Sequence, residues 1–288
     1  MKLIVTADLH YDIPRSVEPA RRLAADACRE SVDALLIVGD TFAQNPDILS
    51  QCLSLFDAFP GKRFMVAGNH DLWTDGGDSL DRYESEILDI CRQAGVHYLD
   101  HEPLILDGVG FVGSVGWYDY TFRSPRLGIP LRFYQNKVAP GAAARMGPYR
   151  HLIDGHPDIT DEMLAVTSRW MDGAFIHLPF SDLDFTRLLV EKLRRHIGQV
   201  AGHCDRIVAA IHHLPFGQLL VSKGIANWDF GNAFMGSELF GELLLESPKV
   251  RHVFCGHSHQ KGELRLNHLR VTNIGSTYVK KRYNVVNV

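Results

Sequence analysis

Side chains able to bind metal stand in five clusters along the 288-residue chain: Asp8-x-His10, Gly39-Asp40, Gly68-Asn69-His70-Asp71, His212-His213 and Gly256-His257-x-His259. Carboxylate, amide oxygen and imidazole together make a donor set that suits a pair of borderline divalent metals. Two such ions about 3.5–4 Å apart activate water near neutral pH and stabilise the attacking and leaving oxygens of a displacement at phosphorus. A carboxylate touching both ions fixes that spacing, and Asp40 is the natural candidate. His70, beside the amide of Asn69, is placed to protonate a leaving oxygen or to bond the phosphoryl group, with Asp71 available to set its tautomer.

Each cluster follows a short apolar run: Leu3–Val5, Leu35–Val38, Phe64–Val66, Ile207–Ile211 and Val250–Cys255. In the first hundred residues these runs alternate with helical spacing over Val17–Arg29, Ile48–Phe56 and Ser79–Ala94, the pattern of βαβ units and a largely parallel sheet. Open α/β sheets bind their ligands at the carboxyl ends of the strands, where the clusters fall. Residues two apart in an extended segment project to one side, which lets Asp8 act with His10 and His257 with His259. Glycine before Asp40, Asn69 and His257 permits tight strand-to-loop turns. His212 and His213 point to opposite sides of a strand, so one of them binds metal; the choice is His212, which follows the apolar run first.

After Pro103 a hairpin is expected, Leu104–Leu106 and Val109–Val115 around Asp107-Gly108. Helical spacing returns in Asp161–Met171, in Asp182–Ile197 behind Ser181, and in Glu238–Glu246 behind Ser237. Leu264–Val271 and Tyr278–Val288 read as closing strands. Residues 117–157 have little periodicity and read as an irregular insertion or cap, and with no linker or repeat a single domain over 1–288 is expected.

That insertion holds a basic strip. Between Thr121 and Ile153 lie Arg123, Arg126, Arg132, Lys137, Arg145 and Arg150 with no acid among them, interleaved with Tyr118, Tyr120, Phe122, Phe133, Tyr134 and Tyr149. Guanidinium forks and aromatic faces suit a nucleotide's phosphates and base, or single-stranded nucleic acid, which makes Arg123, Arg126 and Arg132 the candidate substrate-binding residues. The plain alternative is a solvated loop paired with acids elsewhere.

Composition removes other classes. At 45% hydrophobic and 22% charged the chain is globular, and a net charge of −4 offers no global attraction to nucleic acid or anionic membrane. Five scattered cysteines without a C-x-x-C pair argue against a disulfide framework or a cysteine zinc site and fit a reducing cytoplasm. No apolar run approaches the roughly 18 residues of a membrane span, and the N-terminal run is too short for a signal peptide, so a soluble, unprocessed protein is expected.

Taken in order, the motifs resemble those of the calcineurin-like metallophosphoesterase superfamily over essentially the whole chain, least from Trp117 to about His203. The resemblance implies an α/β fold, a four-layer αββα sandwich of two mixed β-sheets holding two divalent ions (Mn, Fe, Zn, Co or Ni) between the sheets. It assigns Asp8, His10 and His259 to one ion and Asn69, His212 and His257 to the other, with Asp40 bridging and His70 either the acid or a histidine standing behind the direct ligands. Ala43-Gln44 stand where Ser/Thr protein phosphatases carry Asp-Arg, which disfavours that subclass. His70 is present, whereas pseudo-enzymes of the fold, such as the retromer scaffold subunit, have lost it. The expectation is a dinuclear phosphoesterase hydrolysing a small or nucleotide-like phosphomonoester or phosphodiester by attack of a metal-activated hydroxide. A nuclease resembling the DNA-repair exonucleases, and a metal-bound interaction scaffold, are the alternatives.

Overall fold

The computed structural model describes every residue from Met1 to Val288. Strands β1 (Lys2–Thr6), β2 (Ala34–Val38), β3 (Lys62–Val66) and β4 (His97–Tyr98) run parallel in one sheet. Strands β5 (Leu104–Leu106), β6 (Val109–Ser114), β7 (Arg206–Ile211), β8 (Val250–Cys255), β9 (Gly262–Leu266) and β10 (Leu269–Asn273) form the second, in the order β5-β6-β7-β8-β10-β9. Its edges are antiparallel and its centre parallel. Strand β11 (Tyr283–Asn287) returns to pair antiparallel with β1, giving β11-β1-β2-β3-β4.

The central strands are apolar on both faces because both faces are covered. Leu3, Val5, Leu36, Val38, Phe64 and Val66 meet Phe111, Val208, Ala210 and Phe254 between the sheets. Their neighbours Ile4, Leu35, Ile37 and Met65 face the other way, into the core shared with the helices. Pro14–Ala27, Asp47–Ser54 and Ile87–Gln93 belong to the first sheet's side, and Asp182–Ala201 and Glu238–Glu246 pack with the second. The four-layer αββα order follows from this alternation, and it leaves the carboxyl ends of β1, β2, β3, β7 and β8 at one rim.

Three elements depart from the sequence expectation, the first two where tertiary contacts override local spacing. The run over Ser79–Ala94 is interrupted by a π turn at Arg82–Glu86, where Tyr83 Oη reaches Asp100 at 3.0 Å and Arg82 Nη1 reaches the Gln44 carbonyl at 2.7 Å. Only Asp161–Leu164 of the expected Asp161–Met171 helix forms. Beyond it the backbone is drawn into other pairings: Ala139 N donates to Ser168 O at 2.9 Å and Trp170 N to Lys137 O at 2.9 Å. The last strand begins at Tyr283, and Tyr278 stays in the preceding loop. Short turns at Leu131–Gln135, Pro140–Ala143 and Gly147–Leu152 punctuate the irregular segment, whose Tyr118, Phe133 and Tyr134 are wholly buried in the helix-side core.

Candidate metal centre

At the strand-end rim the structure brings together Asp8, His10, Asp40 and His259 in one group and Asp40, His212 and His257 in a second, the donor atoms of each lying within 4.8 Å of one another. Asp40 belongs to both. Its Oδ1 is 3.2 Å from His212 Nε2 and its Oδ2 3.5 Å from His10 Nε2, and the same Oδ1 accepts the His70 backbone N–H at 3.0 Å. His10 Nε2 and His259 Nε2 face each other at 3.2 Å, and His259 Nε2 is 3.7 Å from Asp8 Oδ1. Burial opposes ionisation of Asp40, yet His212, His70 and His10 hold its carboxyl well below the usual carboxylate range. Burial keeps His10 and His257 well below the ordinary histidine value, so both rings are neutral donors.

The backbone is bent to make this rim. Asp8, His10, Asp40, His257 and His259 all have φ between 42° and 67°, half of the ten left-handed non-glycine residues in the chain. Such conformations are sparsely populated and cluster where function over-determines them. Asp8 and His10 therefore converge through left-handed turns held by neighbouring loops, not through the same-side projection of an extended segment. Asp8 N donates to Gly39 O at 3.0 Å and His10 N to Asp40 O at 2.8 Å. At Gly39, itself at φ +74°, a Cβ would lie 2.4 Å from His212 Nδ1; at Gly68 it would lie 2.2 Å from Asp40 Oδ1.

Outward-facing hydrogen bonds fix which atom of each side chain is free. His212 Nδ1 bonds the Val38 carbonyl at 2.9 Å and His257 Nε2 bonds the Phe234 carbonyl at 3.1 Å, leaving His212 Nε2 and His257 Nδ1 toward the centre. Asn69 Nδ2 donates to Asp172 at 2.9 Å, so its Oδ1 is the free atom. Asp8 Oδ2 and Asn69 Oδ1 are buried without a hydrogen-bond partner, although such atoms in folded proteins are nearly always satisfied, and His212 Nε2 meets only the Asp40 carboxylate. Orphaned oxygen and nitrogen donors converging on one carboxylate are a set that fits two divalent ions. His213 also buries an Nε2 without a partner, but its Nδ1 bonds the Val115 carbonyl, its ring packs 4.2 Å from that of His257, and it lies outside both donor groups.

His70 is half-buried and its ring makes no hydrogen bond within the chain. It stacks on Trp73 at 3.9 Å, which stacks on Phe175 at 4.8 Å. Asp71 does not reach it: its carboxylate accepts the backbone N–H groups of Thr41, Phe42 and Gly68 at 2.7–2.9 Å, tying the loop after β2 to the loop after β3, and burial with the charge of Asp40 pushes it up to about 7. The tautomer role expected for Asp71 is thus absent. Asp172, which no motif marked, takes a comparable place. It is 1% exposed and accepts Asn69 Nδ2, Trp73 Nε1, Trp170 Nε1 and Tyr118 Oη at 2.7–3.0 Å, linking Asn69 to the indole under His70.

The basic strip is not gathered at this rim. Arg126 pairs with Asp229 at 2.6 Å, Arg132 with Asp158 at 2.6 Å, Lys137 with Asp182 at 2.5 Å and Arg150 with Asp154 at 3.4 Å. Arg123 donates to the Tyr120 carbonyl and borders a shallow depression with Thr121 and Pro125. The strip looked uncompensated only because its acids lie outside its own stretch of sequence. Of its aromatics, all but Tyr149 are core residues, so they offer no stacking platform. Near the centre stand residues that sequence reading passed over. Tyr278 lies 5.0 Å from the rings of both His10 and His259, with Arg15 stacked over it at 4.6 Å. Lys281 donates to the Asp8 carbonyl at 2.6 Å.

Two sets of metal-type donors sharing one carboxylate, at the carboxyl ends of parallel strands in a two-sheet sandwich, mark an α/β metallohydrolase. The family model of the calcineurin-like phosphoesterases matches residues 1–261, and the chain belongs to that family of metal-dependent phosphohydrolases, which use two divalent ions. Among solved structures, it is similar to the phosphopantetheinyl hydrolase of Mycobacterium tuberculosis, at 17% identity and a TM-score of 0.67 over 96% of this chain and 90% of that one. It is also similar to a dimetal phosphatase from Danio rerio (12%, TM-score 0.56, 99% and 91%) and to TT1561 of Thermus thermophilus (11%, 0.53, 99% and 98%). No curated protein matches the sequence. No helix is long and apolar enough to cross a membrane.

Proposed function

We propose that the chain is a dinuclear phosphoesterase that hydrolyses a small phosphorylated molecule, and that residues 1–288 act as one domain. The observation that carries this reading is Asp40, shared by two donor groups and seated beneath an unbonded His70. Asp8, His10 and His259 would hold one ion, Asn69, His212 and His257 the other, and Asp40 would bridge. When bound, the pair supplies Lewis acidity toward a phosphoryl oxygen and lowers the pKa of coordinated water. His70 gives a proton to the leaving oxygen, held in place by Trp73, while Asp172 fixes the Asn69 amide with its oxygen inward. A small substrate is favoured over a polymer because the basic strip is already neutralised by internal acids. Five free cysteines, four of them buried, suit a reducing cytoplasm.

The test is metal analysis of gently purified protein, followed by turnover of an aryl phosphate and a bis-aryl phosphate with Mn²⁺ and after chelation. We expect two metals per chain and chelator-sensitive hydrolysis. Saturation at one metal would remove the bridging role of Asp40, and a fully loaded protein inert toward both esters would favour the scaffold alternative.

A further inference from the structure

Beside the metal centre lies a cavity of about 230 Å³ that the chemistry above leaves unused. His257 and Ser258 form one edge, and Trp170, Leu220, Val221 and Trp228 supply much of the wall. In a chain where acids outnumber bases 34 to 30, no aspartate or glutamate lines it. Arg169 does line it, and is exposed. Over the Trp228 ring, 3.3 Å from its centroid, stands the ammonium of Lys223. Neither cation takes part in an ion pair, whereas four of the six basic residues of the strip are paired.

An unpaired guanidinium in an acid-free recess is a binding site for an anion, and the indole and aliphatic walls suit a flat or apolar group. The rim continues this character: Trp228 is 36% exposed, Val221 37% and Ile225 58%. The volume holds a fragment of a ligand rather than a whole one. We infer that the cavity binds the non-reacting part of the substrate, and that the substrate is a phosphoester bearing a second anionic group on a flat or apolar body, the second anion bound by Arg169. The inference rests on the phosphoesterase reading and narrows it to a substrate class. Trp170 connects the two halves, since its indole both walls the cavity and donates to Asp172, the carboxylate that holds Asn69.

The Mn²⁺-loaded protein is to be assayed with adenosine 3′,5′-bisphosphate, adenosine 3′-phosphate, adenosine 5′-phosphate and p-nitrophenyl phosphate. Wild type should prefer the bisphosphate in kcat/KM by roughly 10–100-fold, the range for one hydrogen bond to a charged group. Arg169→Ala should erase most of that preference through KM, and Arg169→Lys should restore part of it. Turnover of p-nitrophenyl phosphate without a bisphosphate preference, or an Arg169→Ala loss equal on all four esters, would overturn the inference and leave the phosphoesterase reading standing. Turnover of none of them while a bis-aryl phosphate is hydrolysed would overturn the inference alone, and a loaded protein inert toward these four and the bis-aryl phosphate would overturn both. Arg169 is exposed, so circular dichroism is expected to show the variants folded.

Discussion

The rim that gathers the metal donors and the wall beside it are built by opposite means. At the rim, backbone decides: five donor residues sit in left-handed turns after strands whose register is locked by ladders on both sides. At the wall, side chains decide: Arg169, Trp170 and Leu220 come from irregular stretches and Trp228 from the short helix Ala226–Gly231, tied together by local bonds such as Thr167 N–H to Asn227 Oδ1 at 2.8 Å and Ser168 Oγ to the Asn227 carbonyl at 2.7 Å. A site whose atoms must hold to within fractions of an ångström stands on strands, and a site that sets which molecule enters can stand on loops. The contrast predicts that damage at the rim abolishes activity, whereas damage at the wall redistributes it among substrates.

The largest effect is expected at Asp40. Asp40→Asn should lower metal content toward zero and activity by more than about a thousandfold, since the substitution removes the charge shared by both ions. Retention of two metals with near-normal kcat would show that the shared carboxylate is dispensable. His70→Ala should keep both metals yet lower kcat by about 10²–10⁴-fold, with the deficit growing as the leaving group becomes poorer. A deficit independent of the leaving group would assign His70 to phosphate binding instead of proton transfer.

Asp172 lies where the two regions meet, so it sharpens the comparison. Asp172→Ala frees the Asn69 amide to rotate and strands two indole N–H groups and a hydroxyl. Metal affinity should fall about 10–100-fold, as for other residues that orient a ligand, measured by chelator competition without reference to turnover. Unchanged affinity with a lowered melting temperature would reduce Asp172 to a structural role.

The same division explains what could be read from the sequence. Strand ends after Val5, Val38, Val66, Ile211 and Cys255 are legible because a buried parallel strand must be an apolar run and must stop on a polar residue. The donor clusters are legible for the same reason, since each is written next to its strand. Asp172, Arg169 and Tyr278 are not, because the contacts that give them their place are mostly made to residues distant in sequence, Asn69 and Trp73 for Asp172 and His10 for Tyr278, and no local period marks them. Tyr278 and Lys281 also fall beyond residue 261, where the family match stops. The basic strip misled in the opposite sense: a window from Thr121 to Ile153 counts charges but cannot see Asp158, Asp182 or Asp229.

The smallest effect is therefore expected from the residues that composition made most conspicuous. Arg123, Arg126 and Arg132 replaced together by alanine should leave KM and kcat for an aryl phosphate within about twofold, because Arg126 and Arg132 are already paired with internal acids and Arg123 donates to the Tyr120 carbonyl. The cost should appear in stability instead. Asp229 is 1% exposed and would lose its only ion-pair partner while keeping the Ser222 hydroxyl at 3.1 Å and the Lys223 N–H at 3.2 Å. Since Arg126 itself is largely solvated, the loss should be about 1 kcal/mol, not the several expected for a wholly buried pair. Arg132 adds little, as its partner Asp158 is half exposed. Urea denaturation should show a lower midpoint at unchanged slope. A rise of tenfold or more in KM, with stability untouched, would return the strip to the substrate and dissolve the division between rim and wall.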